Sequence, residues 1–309
     1  MPFKCSETGQ MKLRKTIAAA ICALLCTSAC ASAPAPIRPP AHVRPGLWKL
    51  YDADTTIYLF GTIHVLPKGY PWRTKAFNAA ASRANELVLE VADLEDQTKT
   101  AQTFMKLAIS PGLKPVLDRV SAEKRPALSR LIAKSGMSAE TLNKFESWAV
   151  AITVAASTLR DLDVSPDNGV ERILTKQFKA AHKPVEGLET SEFQLGLFDA
   201  LSPGAQETFL EGMADESVSP AKEYGDMLAS WSKGDDKTIA LSFDDEVKLS
   251  PELTEVLLRQ RNRNWTDWLA KRLAKPGVVL VAVGAGHLAG PDSVQALLAK
   301  RGLHVVRVQ

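Results

Sequence analysis

Thr56-Ile57-Tyr58-Leu59-Phe60 runs directly into Gly61-Thr62-Ile63-His64, and Val278-Val279-Leu280-Val281-Ala282-Val283 runs directly into Gly284-Ala285-Gly286-His287. Both are an apolar strand followed by Gly-x-x-His. A buried strand that ends in a tight turn delivers a side chain to the rim of a sheet, and glycine permits the close backbone approach that such a turn needs. The chain has only five histidines. Two of them in matching contexts predict one composite site built from opposite ends of the sequence.

The segments between these strands set the fold class. Residues 46–51 alternate and read as a strand, Asp52-Ala53-Asp54 as a turn and residues 55–60 as its hairpin partner. Residues 72–85 read as a helix and residues 86–91 as an apolar strand. From 94 to about 181 the pattern is helical, broken at Pro111-Gly112, at Pro115 and at Ser165-Pro166-Asp167. A short strand follows at 183–189, then helices over 191–237 with a break at Ser202-Pro203-Gly204. A long helix over 252–274 ends at Pro276-Gly277, and the last elements are a helix over 293–300 and a strand over 303–308. Strands separated by helices predict an α/β (α+β) fold: a mostly parallel central sheet, an N-terminal hairpin and a large helical insertion that caps the sheet.

The N-terminal residues have another character. Met11-Lys12-Leu13-Arg14-Lys15 is a basic segment, residues 16–25 are apolar, and small residues follow from Ser28. This is a secretory signal peptide pattern, with Met11 an alternative start to Met1. Ala29-Cys30-Ala31 fits ordinary release after residue 31, whereas Thr27-Ser28-Ala29-Cys30 is similar to a lipobox in which Cys30 is lipidated. Either way, the expectation is an exported protein, periplasmic or anchored to the membrane only through a lipid. Residues 32–45 are rich in Ala and Pro and read as a tether, leaving 46–309 as the domain.

Charge and cysteine usage narrow the chemistry. The formal net charge is +3, and Lys4, Lys12, Arg14 and Lys15 against Glu7 account for it within the leader. The remainder is balanced, which disfavours nucleic acid as a partner. All four cysteines, Cys5, Cys22, Cys26 and Cys30, fall in the leader. The domain therefore has no disulfide or thiolate ligand, and any metal must be held by His and carboxylates. The chain contains no G-x-S-x-G, H-E-x-x-H or P-loop, which disfavours a serine hydrolase, a helix-borne zincin and an NTPase.

Four strand ends carry polar groups: His64, Glu90, Glu189 and His287. Sites in sheets with helical crossovers form at the carboxyl ends of strands. Two imidazoles with one or two carboxylates suit Mn²⁺, Zn²⁺ or Co²⁺, and a spare Glu can act as general base. Glu90 and Glu189 also have a local alternative as helix caps. Arg261 and Arg263 read either as a solvated face or as a clamp for a carboxylate or oxyanion. Trp148, Trp265 and Trp268 read as core anchors, and His182, Glu186 and His304 as solvated or local partners.

Five blocks, in order, resemble the TraB/PrgY/GumN family, which is related to the Tiki proteins. They are Tyr58-Leu59-Phe60-Gly61-Thr62-Ile63-His64; Leu87-Val88-Leu89-Glu90; Asn168-Gly169-Val170-Glu171 through Lys183-Pro184-Val185-Glu186-Gly187-Leu188-Glu189-Thr190; Arg261-Asn262-Arg263-Asn264-Trp265; and Val283-Gly284-Ala285-Gly286-His287-Leu288. The resemblance covers roughly 46–309 and implies a metal-dependent hydrolase, metalloprotease-like, using Mn²⁺ or Co²⁺ on a peptide or protein substrate. Carried over, His64 and His287 are metal ligands and Glu90 is a ligand or base. From the residues themselves, Glu189 is expected as the second carboxylate and Arg261 as the group that helps orient substrate. Glu171 stands where the family usually has Asp, and its extra length argues against a direct role. The rival reading is a non-catalytic envelope protein that sequesters a peptide signal. Labelling with a palmitate analogue separates the two leader readings: signal that vanishes in Cys30→Ala assigns lipidation, and no signal in the unaltered protein assigns release.

Overall fold

A computed structural model describes residues 42–93, 96–215, 219–247 and 250–309. The leader, Cys30 and most of the tether lie outside the described residues.

The centre is a six-stranded sheet in the order β6-β4-β7-β2-β1-β8. Its strands are β1 (Leu47–Tyr51), β2 (Thr55–Thr62), β4 (Glu86–Val91), β6 (Val185–Glu189), β7 (Gly277–Gly284) and β8 (Val305–Arg307). β2, β7, β4 and β6 are mutually parallel, and β1 pairs antiparallel with both β2 and β8. The expected hairpin and mostly parallel sheet are both present. β2 and β7, the two Gly-x-x-His strands, are direct neighbours, with Thr62 level with Gly284.

The apolar runs bury both faces. Alternate residues of a strand point to opposite sides. Tyr58, Phe60, Leu87, Leu89, Leu280 and Ala282 join the larger core beneath the helical layer. Ile57, Leu59, Val88, Val279, Val281 and Val283 face the other way. Continuous apolar strands are what a sheet covered on both sides requires.

The larger core is roofed by α1 (Lys75–Arg83), α2 (Gln97–Ala108), α3 (Arg125–Ser135), α4 (Ser147–Leu159), α5 (Val170–Ala180), α6 (Ser191–Asp199), α7 (Pro203–Met213) and α8 (Pro220–Lys233). α4 is apolar all round, and only its Thr153 escapes full burial, so it forms the centre of the helical layer rather than its surface. Trp148 at its start is fully buried, as its reading as an anchor requires. After α9 (Asp236–Val247) and α10 (Pro251–Thr254), the chain enters α11 (Gln260–Leu273). α11 and α12 (Val294–Lys300) cover the opposite face through Trp265, Leu269, Leu273, Val294 and Leu298. No described helix is long and apolar enough to cross a membrane.

Element ends depart from the sequence reading where side chains intervene. The Thr74 hydroxyl accepts from Phe77 N–H, so α1 starts at Lys75 and not near Trp72. The helix read over 252–274 contains a wider turn at Glu255–Arg259, in which Gln260 N–H reaches back to Glu255 O. A two-residue pairing also appears where a loop is expected: β3 (Leu66–Pro67) pairs with β5 (Val164–Ser165). That pairing ties the chain after His64 to the segment leading into α5.

The His64 turn is pinned from several sides. Trp231 Nε1 donates to Gly61 O at 2.8 Å, Tyr224 Oη to Val65 O at 2.8 Å, and Val170 N–H to Ile63 O at 3.2 Å. Gly169 packs so closely that a Cβ there would stand 2.0 Å from His64 O. The clash is with backbone and cannot be relieved by a rotamer change. Gly169→Ala is therefore expected to lower stability by about 1–3 kcal/mol in urea denaturation. Gly204→Ala, whose added methyl meets nothing within 4 Å, is expected to be neutral or stabilising.

Candidate functional site

His64 emerges just beyond β2, with its side chain largely buried. Its Nδ1 lies 2.8 Å from Glu171 Oε1. A carboxylate only accepts, so Nδ1 carries the proton and Nε2 is directed away from Glu171. Glu171 opens α5, is buried, and also accepts from the Thr62 hydroxyl. Glu171, whose length puts a direct role in doubt, nonetheless contacts His64 directly. The extra methylene reaches His64 from a helix that begins beside the turn, and side-chain length alone carries no information about that placement.

The second imidazole is oriented by a different partner. Asn262 Nδ2 donates to Asp292 O at 2.8 Å, which fixes the amide so that its oxygen faces His287. His287 Nδ1 then donates to Asn262 Oδ1 at 2.6 Å, and the lone pair sits on Nε2. Both histidines thus have Nδ1 held by an outer partner and Nε2 directed inward, which is also how metal-bound imidazoles are oriented.

The two rings meet over Gly284. A Cβ on that residue would stand 3.0 Å from Glu90 Oε1, 3.7 Å from His64 Nε2 and 3.7 Å from His287 Cδ2. The absence of a side chain at the end of β7 makes the space that these three groups share. Glu90, on β4, accepts from Gly284 N–H at 2.6 Å through Oε1, which also lies 3.7 Å from His287 Nε2. Glu90 and Glu189 do not cap helices: Asp96 caps α2, and Thr190 caps α6.

Arg261, on the first turn of α11, fills the inner end of the site. Its Nε donates to Glu189 Oε1 at 3.0 Å, and its Nη2 donates to Glu90 Oε2 and Glu189 Oε2, each at 2.8 Å. Its Nη1 donates to Leu257 O at 3.0 Å and to His287 Nε2 at 3.1 Å. A guanidinium has five N–H groups, and all are directed at protein acceptors. Glu189 is likewise surrounded, taking further bonds from Trp265 Nε1 at 2.9 Å and Gln194 Nε2 at 2.9 Å. Arg261 and Glu189 are thus turned toward each other and toward Glu90. Trp265 is a core anchor, as read, and also a donor to Glu189.

The electrostatics separate the two imidazoles. For His64, burial opposes the charge, but the Glu171 carboxylate and its hydrogen bond outweigh it, with Glu90 adding to the effect. The pKa rises to about 9. For His287, burial and the Arg261 guanidinium both oppose protonation and push the pKa down to about 3. Burial also opposes the charge on Glu90, but His287, Arg261, His64 and the Gly284 N–H together hold it far below the usual carboxylate range. At neutral pH His64 is charged and His287 is neutral.

The donor types, imidazole nitrogen and carboxylate oxygen, suit Mn²⁺, Co²⁺ or Zn²⁺. As arranged, no three His, Cys, Asp or Glu groups among the described residues are disposed to hold an ion. The physical reason is visible at His287, whose single lone pair already accepts from Arg261.

Gln194, Asn262 and Thr62 are given no role from the sequence, although Thr62 and Asn262 both lie inside quoted blocks. His182 and His304 are exposed, away from the site.

These charge states are measurable. In an NMR titration His64 is expected to titrate near 9, and Glu171→Gln is expected to return it to 6.5 or below. Since the folded-state value lies above the unfolded one, the stabilisation from charged His64 is complete below pH 6.5 and lost as pH rises through about 9. His287 acts oppositely, favouring the fold above pH 6.5 and losing that contribution as pH falls toward about 3. Resonances that show both histidines titrating near 6.5 would contradict the assignment.

YbaP of Escherichia coli (strain K12), an uncharacterized protein, is 28% identical over 245 residues, covering 78% of this chain and 87% of its own. An uncharacterized protein of Treponema pallidum (strain Nichols) is 22% identical over 281 residues, covering 85% and 82%. No solved structure matches. The family model for TraB/PrgY/gumN matches residues 46–307, which include all five blocks and the whole site. The chain belongs to the TraB/PrgY/gumN family.

Proposed function

We propose that the protein is a hydrolase of the cell envelope that acts on a peptide or protein substrate at the space over Gly284. The observation that carries this reading is the buried Glu171–His64 pair, whose Nε2 is directed at that space beside Glu90. A carboxylate that fixes an imidazole's tautomer and stabilises its charged form is a general acid–base device. A divalent ion, where one is bound, would supply an acidified water. With Arg261 docked, the Nε2 lone pair of His287 is engaged and not free to hold such an ion.

His64, protonated at neutral pH, donates its Nε2 proton to the departing amide nitrogen as the C–N bond breaks. The attacking water adds to the carbonyl carbon, and the proton it loses restores the imidazolium. Glu90 is ionised and accepts through Oε1 on the same side, so it is placed to orient the water. Its charge also supports the imidazolium. Arg261 and Glu189 hold Glu90 in position.

Purified protein incubated with a peptide library and Mn²⁺, with products read by mass spectrometry, tests the reading. Cut products are expected, with kcat/KM falling above pH 9 as His64 loses its proton. His64→Ala and Glu171→Gln should each lose activity by about 10²–10⁴-fold. Gly284→Ala removes no functional group but fills the shared space, and should lose activity while remaining folded. Peptides that bind without being cut would overturn the hydrolase reading in favour of capture.

A further inference from the structure

We infer that Arg261 and a divalent cation are alternative occupants of the same donors, so that the docked guanidinium closes this site to metal. The inference rests on the expectation that a TraB-family site takes Mn²⁺ or Co²⁺, and it concerns what stands in the way here.

His287 is the donor on which the competition turns. Its Nδ1 proton is committed to Asn262, whose amide is itself fixed by Asp292 O. Only Nε2 can bind a metal, and a neutral imidazole has one lone pair there. That lone pair accepts from Arg261 Nη1 at 3.1 Å. The same guanidinium holds Glu90 Oε2 through Nη2 at 2.8 Å. Two of the three expected ligands therefore already bear a cation, and a second cation cannot reach His287 Nε2 until Nη1 leaves it. Nη1 is otherwise held by Leu257 O at 3.0 Å, which lies within the wider turn at Glu255–Arg259. Turns of this kind are frequent at functional sites. Glu189 supplies the remaining grip on Arg261, with three contacts between 2.8 and 3.1 Å, yet it is not one of the expected ligands.

Glu189 therefore gives a variant whose effect has opposite signs under the two accounts. By charge alone, Glu189→Gln removes an anion beside the site and weakens cation binding. If Arg261 competes with the ion, the same change loosens the competitor and strengthens binding. Isothermal titration calorimetry with Co²⁺ on the full chain measures this directly, and the visible Co²⁺ absorption gives a readout independent of activity. Glu189→Gln and Arg261→Lys are expected to bind Co²⁺ about tenfold more tightly than the unaltered protein, because a larger fraction of sites is free of the docked guanidinium. Adding His287→Ala to either is expected to abolish the gain. Arg261→Lys keeps the buried positive charge, which guards against the unfolding that an uncompensated Glu90–Glu189 pair invites. Circular dichroism checks each variant. Measurable binding by the unaltered protein that is equal or weaker in both variants overturns the competition. No binding by any of the proteins overturns it too, and removes the ion from the site altogether. The hydrolase reading is judged separately, by product formation.

Discussion

The buried guanidinium of Arg261 is the interaction on which the site depends. It joins β4 through Glu90, β6 through Glu189, the turn after β7 through His287, and its own helix through Leu257 O. Trp265 stacks beneath it, with the guanidinium carbon 4.8 Å from the ring centre and His287 on the same indole at 4.3 Å between centroids. Two carboxylates this close would repel each other without the cation between them, and breaking a buried pair of this kind costs about 3–5 kcal/mol. Three strand ends and a helix are thus brought to one point by a single side chain.

The two Gly-x-x-His motifs look equivalent as sequence and end in opposite states. His64 is tied to a carboxylate and carries charge, whereas His287 is tied to an amide and an arginine and does not. The difference lies in what the rest of the fold sets against each ring. Environments that push two like groups apart in proton affinity are a common basis for dividing acid and base roles.

Much of this was legible in the sequence because strands and their ends are local patterns. Residues 86–91 read as a strand ending in acid, and Glu90 sits in the site. Residues 278–283 read as a strand, and the imidazole after it reaches the site from the strand's end. What was not legible is contact across distance. Glu171 meets Thr62 from 109 residues away and Gln194 meets Glu90 from 104 residues away, and no periodicity encodes either pairing. The wider turn before Arg261 adds one residue to a helical repeat, too small a change to disturb the apolar pattern of 252–274. β3 and β5 are two residues each, below the length at which alternation can be seen.

The adjacency of β2 and β7 has a kinetic consequence. Thr55 and Lys275, hydrogen-bonded at the foot of this pair, are separated by 220 residues. Closing so long a loop must precede the reward of the contacts it makes, and chains dominated by such pairings fold slowly. A nascent chain that has emitted β2, α4 and even α8 still lacks the strand that fills the middle of its sheet. Its exposed β2 edge must wait for almost the last segment synthesised. The two imidazoles cannot meet in any partial product, so the site comes into being only with the whole domain.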